Sequence, residues 1–364
     1  MIGQTPSDGR HMDARTVSPW CTLWGPGVRR LSLLACVVAG APAARAQDSP
    51  GKADASPLVD GPTRTRVIEG VIRRVRETYV FPAVADSIGV YLRGRMRHGA
   101  YDRPLRANAF ATELTADLRS ASHDQHLHVT YEPQSIHAGP GVDSATRHRR
   151  IDAVKRELER GNYGVPEARI VADGVGYLRL TSMQAPSIAG ETLAAAMTFL
   201  AHSDALIIDV RDNGGGDADQ VNLLLSYLFD GAVEFGEMRS RDPGHVEQSW
   251  TAAYVPGRRY GGTKPIFVLT SHTTFSAAEA VAYFLQAQRH AIVVGDTTRG
   301  GANPGDFYAV DTDYVIFVPD ARAVSPVTGA NWEGTGVIPN IAVPAAAALD
   351  TARALALAVV RTVH

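Results

Sequence analysis

Thr270-Ser271-His272-Thr273-Thr274-Phe275-Ser276-Ala277-Ala278-Glu279 lies between two segments of different period. Before it runs Pro265-Ile266-Phe267-Val268-Leu269, apolar and long enough for one buried strand. After it, Ala278, Val281, Leu285 and Ala287 recur at helical spacing. The order is therefore strand, tight polar turn, helix. Ser276 falls near the first helical turn, where unpaired N–H groups and the positive end of the helix dipole gather. Such a place stabilises an alkoxide or a tetrahedral oxyanion, so Ser276 is a candidate nucleophile. It is equally a residue type at home as a plain N-cap.

Working outward, the same alternation continues on both sides. Ala205-Leu206-Ile207-Ile208-Asp209-Val210 reads as a buried strand running into Arg211-Asp212-Asn213-Gly214-Gly215-Gly216. Val221, Leu224, Leu225 and Leu228 then mark a helix face. Three glycines between strand and helix let the backbone bend sharply and approach a ligand closely. Two uses fit, an oxyanion or peptide-binding loop and a simple tight turn. A phosphate loop does not, since G-x-x-x-x-G-K-[ST] is absent and no lysine is near. Val175 to Leu180, Ala291 to Gly295 and Tyr314 to Val318 read as further strands, and 346–363 as an Ala-rich closing helix. Residues 231–263 lack a clear period and suit a hairpin or flap. Strands alternating with helices over 170–345 predict an α/β core with its site in the Gly-rich loops at strand ends.

The front of the chain differs. Val67, Ile68, Val71, Ile72, Val75 and Tyr79 form one apolar helical stripe, stopped by Phe81-Pro82. Ile88, Leu92 and Met96 mark a second helix; Phe110, Leu114 and Leu118 mark a third. Next comes Ser122-His123-Asp124-Gln125-His126-Leu127-His128-Val129-Thr130-Tyr131, whose alternating Leu127, Val129 and Tyr131 predict a strand. On such a strand His126 and His128 share a face. No nearby cysteine or His-x-x-x-His completes a ligand set, so no metal is expected. A histidine here is read either as a packing residue or as a general base.

Arg29-Arg30, the apolar Leu31 to Ala44 and the Ala44-Arg45-Ala46 site read as a secretion leader over 1–46, too short to span a membrane. Export to the periplasm or medium is expected. Lipid anchoring at Cys36 ranks second, and Met12 is an alternative start. Both cysteines, Cys21 and Cys36, lie in the leader, so the mature chain has no disulfide or thiol nucleophile. The leader also holds five of 36 basic and two of 38 acidic residues, leaving 31 against 36, a net of −5. That balance argues against a nucleic-acid partner. No later segment approaches transmembrane length.

Four motifs occur in order: Asp209-x-Arg211-x-Asn213-Gly214-Gly215-Gly216, Thr274-Phe275-Ser276-Ala277-Ala278-Glu279, Val294-Gly295-x-Thr297-Thr298-x-Gly300-Gly301, and Trp332-Glu333-Gly334-x-Gly336-Val337-x-Pro339. Together with the helical front they resemble the tail-specific (C-terminal-processing) serine peptidases, in the branch of the tricorn core and interphotoreceptor retinoid-binding protein. The likeness covers about residues 65–350. It implies a ClpP/crotonase-like β/α core, a small N-terminal helical domain and no cofactor. The implied organisation is leader 1–46, flexible lead-in 47–64, helical domain 65–135, linker with a short helix 136–170, and core with C-terminal helix 171–364.

Carried over residue by residue, Ser276 matches the nucleophile, His126 the base brought from the front segment, and Glu333 the acid. Ala277, with Gly214 and Gly215, matches the oxyanion hole. Two departures shape the expectation. The processing branch uses a lysine base where this chain has Gly301. Lys264 begins the strand leading to Ser276, about 15–20 Å away at 3.3 Å per residue. A histidine base is therefore favoured, with His128 and His272 as rivals to His126. Asp124 and Asp212 compete to orient it. Second, the chain between Tyr131 and Val175 is too short for a PDZ domain. The resemblance implies peptide or protein substrates. The rival function is a non-catalytic binder of hydrophobic ligands, since one fold serves both.

Overall fold

The computed structural model describes residues 54–133, 144–242 and 244–363, so the leader read over 1–46 lies outside the described residues. Helix α1 (Gly61–Thr78) starts at Asp60, whose carboxylate accepts from Thr63 N–H at 2.7 Å. Helices α2 (Pro82–Arg97) and α3 (Ala107–Ser122) follow, then strand β1 (His128–Tyr131) and helix α4 (Ser144–Arg160). Strands β2 (Glu167–Ala172) and β3 (Val175–Arg179) open the core, followed by α5 (Pro186–Leu200), β4 (Ala205–Asp209) and α6 (Ala218–Leu228). Strands β5 (Glu234–Ser240) and β6 (Val246–Trp250) form the hairpin that the unpatterned 231–263 segment left open. Strand β7 (Ile266–Thr270), α7 (Ala277–Ala287) and β8 (Ile292–Gly295) carry the serine turn. Last come β9 (Gly305–Asp311), β10 (Tyr314–Pro319), β11 (Ala321–Val324), β12 (Ile341–Ala342) and α8 (Ala345–Val363). Between β1 and β3 the described residues hold only α4, a 3-10 turn and β2.

The central sheet runs β12-β8-β7-β4-β3-β2, parallel from β12 to β3, with β2 antiparallel at the edge. Side chains alternate across it. Leu178, Leu206, Ile208, Ile266, Val268 and Val293 pack toward α5, α6 and α7. Val175, Tyr177, Ala205, Ile207, Phe267, Leu269 and Val294 pack against Ala348, Ala352 and Ala356 of α8. Strands covered on both faces must be apolar at nearly every position, hence the unbroken runs in the sequence.

A second sheet, β1-β10-β9, joins the front to the core. Strand β1 pairs antiparallel with β10, His128 opposite Phe317 and Tyr131 opposite Tyr314. The stripe of α1 closes over this sheet, so Val67, Val71, Leu114 and Leu118 share one apolar cluster with Val310, Tyr314, Ile316 and Val318. Gly70 marks the closest approach: a Cβ there would stand 2.5 Å from the Val310 carbonyl oxygen. A third sheet, β11-β5-β6, lies beside the turn after β10.

Candidate active site

Ser276 stands at the N-cap of α7, but with φ 55 and ψ −120. A capping serine is ordinarily extended, and this combination is sparsely populated for any residue bearing a Cβ. The turn is held from several sides. Thr274 is buried, its hydroxyl donating to Val210 O at 2.9 Å, while Phe275 N–H donates to Asn213 O at 3.0 Å. The Glu279 carboxylate accepts from Ser276 N–H at 2.7 Å, from Thr298 Oγ1 at 2.5 Å, and from Gly300 and Gly301 N–H at 2.6 and 2.9 Å. Burial pushes Glu279 up and these four donors pull it back. A fully buried carboxylate thus clamps the serine turn to the Gly300-Gly301 turn. The sequence reading assigned Glu279 no role, although Ser-x-x-Glu ahead of an apolar run is the signature of such a back-bond.

The three-glycine loop lies directly against the serine. A Cβ on Gly215 (φ 102) would stand 2.8 Å from Ser276 Cβ and 3.1 Å from Ala277 N. Only glycine permits both this approach and this φ. Ala277 N–H and Gly214 N–H make no hydrogen bond among the described residues. Gly215 is a correction to the expected donor set: its N–H donates to Asn213 Oδ1 at 2.8 Å, so its contribution is closeness. Asp209 and Arg211 hold the loop from below. Asp209 is bound by Arg211 and by Tyr177 Oη, and Arg211 donates to Ala345 O at the start of α8.

His126 arrives from the front segment. The predicted strand starts two residues later than the alternation implies, so His126 occupies a bend and does not share a strand face with His128. The cause is local, since Asp124 Oδ1 accepts from His126 N–H at 2.9 Å, a side-chain turn that competes with strand pairing. The imidazole is 6% exposed and lies on Phe275, ring centres 4.4 Å apart. Neither ring nitrogen has a hydrogen-bond partner, so His126 and Ser276 are adjacent through Phe275 but unbonded. A Cβ on Gly301 would come within 2.5 Å of His126 Cε1 and 2.3 Å of the Phe275 ring. The space a residue-301 side chain needs is therefore filled by the histidine.

Two carboxylates face His126. Its Nδ1 is 3.8 Å from Asp124 Oδ1, and one ligand atom each of Asp124, His126 and Glu333 lie within 4.8 Å of one another. Asp124 Oδ2 accepts from Tyr79 Oη at 3.0 Å and Asn303 Nδ2 at 3.1 Å. Glu333 Oε2 accepts from Ala302 N–H at 2.6 Å, leaving Oε1 buried without a partner. Burial, then the neighbouring Asp124, pushes Glu333 up to about 7. Burial, then His128, Arg299 and Arg119, holds His126 down at about 3, so its ring is neutral at ordinary pH. Both ring nitrogens of His126, Glu333 Oε1 and Asn303 Oδ1 are buried without partners. Orphaned buried polar atoms are few and call for an explanation, and four of the nine among the described residues converge here.

The rival residues are elsewhere or occupied. His128 Nδ1 lies 2.6 Å from His126 O, and its ring stacks on Phe317. His272 is exposed on the turn. Asp212 pairs with Arg179 at 2.7 Å. Lys264 donates to Ala201 O and sits over Tyr260, at the start of β7 and away from its serine end.

Residues 174–343 match Peptidase family S41, and residues 62–156 match the N-terminal domain that S41 peptidases carry in eukaryotic interphotoreceptor retinoid-binding protein. Among solved structures, a candidate peptidase from Parabacteroides merdae is 16% identical with a TM-score of 0.55, covering 81% of this chain and 96% of that one. A lipoprotein from Streptococcus agalactiae is 12% identical with a TM-score of 0.54, covering 82% and 98%. A candidate S41 protease from Bacteroides fragilis is 18% identical with a TM-score of 0.46, covering 52% of this chain and 52% of that one. This chain thus spans about half the length of the last protein and nearly all of the other two. Among the described residues no helix is long and apolar enough to cross a membrane.

Proposed function

The chain belongs to peptidase family S41, and from that membership we propose that it hydrolyses peptide bonds through an acyl-enzyme on Ser276. The carrying observation is His126, delivered from the front segment onto Phe275, neutral and with both ring nitrogens free. In this reading His126 takes the Ser276 proton as Oγ attacks the substrate carbonyl. Oγ–C bonding pushes the carbonyl electrons onto oxygen, and the N–H groups of Ala277 and Gly214, without partners among the described residues, donate hydrogen bonds to that oxyanion. The oxyanion then collapses to a carbonyl, the scissile C–N bond breaks, and the same proton passes from His126 to the leaving amine. Water, deprotonated by His126, releases the acyl group and regenerates the serine. Asp124 and Glu333 face the imidazolium formed in both steps and stabilise it. The serine–histidine hydrogen bond is made in the substrate complex, as loose free-enzyme geometry in such sites allows.

The leader read over residues 1–46 assigns this activity to the periplasm or medium. Labelling with a serine-reactive fluorophosphonate, followed by peptide mapping, tests the nucleophile. The expected result is a single adduct at Ser276, absent from Ser276→Ala and strongly slowed in His126→Ala. An unlabelled wild type that binds retinoid-like apolar ligands would instead favour the non-catalytic role. Full labelling of His126→Ala with none of His128→Ala would move the base to His128.

A further inference from the structure

Two guanidinium groups flank the His126–Phe275 stack. Arg299, exposed on the turn after β8, has its Cζ 4.8 Å from the centre of the Phe275 ring. Its backbone N–H donates to Thr274 O at 3.1 Å, which ties it to the serine turn. Arg119, half-buried in the last turn of α3, donates Nε to Leu127 O at 3.2 Å, the carbonyl next to His126. Neither arginine has an ion-pair partner among the described residues. Several other arginines of the front segment are paired: Arg93 with Glu69, Arg95 with Asp117 and Arg103 with Glu113.

Gathering two unpaired cations here has a cost. Burial and then Arg299 push Arg119 down, and both arginines disfavour a proton on His126 and His128. The mature chain is acidic overall, so the pair is not a by-product of basic composition. Planar guanidinium forks suit a carboxylate, and Arg299 is tied to the serine turn through Thr274 O.

We propose that Arg119 and Arg299 form an anion subsite beside Ser276 that takes a carboxylate of the peptide substrate. The proposal rests on the peptidase reading and narrows its substrate class. The carboxylate can come from an acidic side chain or from the peptide's own C-terminus.

Equilibrium binding to the Ser276→Ala variant tests it without turnover. The probes are acetylated hexapeptides of alanine and leucine, carrying Glu or Gln at each position in turn, each made as free acid and as amide. One acid-bearing form is expected to bind at least about tenfold more tightly than its neutral twin, the scale of a hydrogen bond to a charged group. A gain that follows Glu over Gln assigns the side chain; a gain that follows acid over amide assigns the C-terminus. In Ser276→Ala/Arg299→Gln the preference is expected to fall toward unity, and Arg299→Lys to restore part of it. Rising salt should erode the preference. Arg299 is exposed, and an unchanged melting temperature shows that its variants fold. Equal binding of every acid and neutral pair, no binding of any probe, or a preference surviving Arg299→Gln overturns the subsite. The two readings fail separately. Wild-type turnover without acid preference overturns only the subsite, whereas acid-selective binding without turnover or fluorophosphonate labelling overturns only the peptidase.

Discussion

At the scale of single residues, Ser276 and Glu333 carry the proposed chemistry and differ in what the sequence revealed. Ser276 was legible as a residue at a strand–helix turn, but not as one at φ 55, because the close approach of the Gly215 backbone and the Glu279 clamp on the Gly300-Gly301 turn exist only in the folded chain. Ser276→Ala is expected to lower kcat by about four orders of magnitude or more while leaving the melting temperature within a few degrees. Glu333 was legible as an acid but not as one buried beside Asp124, which its neighbours in sequence cannot disclose. Its carboxyl, pushed up to about 7, is protonated below that pH and ionised above it. In the proposed mechanism an ionised Glu333 stabilises the imidazolium that forms on His126, so kcat/KM is expected to fall as pH drops through about 7. His126 itself, held at about 3, stays neutral across that range and cannot produce the limb. In Glu333→Gln the rate should fall and the limb near 7 should vanish. A pH–rate profile of both proteins checks this, and an unchanged limb in the variant would place the titration elsewhere.

At the scale of elements, the strand–loop–helix units of the core could be read off the sequence because each is a continuous apolar run followed by a periodic one. Strands β9 and β11 could not: Phe307-Tyr308-Ala309-Val310 shows no alternation, and Ala321–Val324 is held by pairing with β5. Tyr79 shows the same limit on a smaller scale. It reads as the last apolar position of the α1 stripe, and its ring is buried, yet its hydroxyl donates to Asp124 Oδ2 alongside Asn303. Both donors come from outside the His126 segment and fix the carboxylate that faces the imidazole. Tyr79→Phe keeps the ring and removes one donor to a buried carboxylate. It is expected to cost about 1–3 kcal/mol of stability and to slow kcat by about tenfold with little change in KM. Chemical denaturation and steady-state kinetics with one peptide substrate check the two parts together. A variant whose loss lies wholly in KM would show that Asp124 serves substrate binding.

At the scale of the whole molecule, the site is assembled only when the helical front sits on the core. The sequence placed His126 and Ser276 in different segments, and the packing of His126 on Phe275, next to the serine, rests on the β1–β10 pairing and the seating of α1 on β9. Gly70 sets that seating, since a methyl group there would stand 2.5 Å from Val310 O and 3.3 Å from Val310 Cβ. Gly70→Ala is a clean probe because helix propensity alone favours alanine by about 1 kcal/mol. If α1 were free of the core, the change would stabilise the protein. Packed as it is, overpacking is expected to destabilise it by about 1–3 kcal/mol, and the strain relaxes by lifting the front off the sheet. His126 then shifts while Ser276, Glu279 and the Gly214-Gly215 loop keep their places. Fluorophosphonate labelling of Ser276 should accordingly slow at least about tenfold at denaturant concentrations where core fluorescence is still native. Gly94→Ala in α2 is the matched control, because nothing lies within 4 Å of its added carbon. It should gain stability and label at the wild-type rate. Equal labelling by Gly70→Ala and the control would separate the serine's reactivity from the docked front, and with it remove His126 as the base.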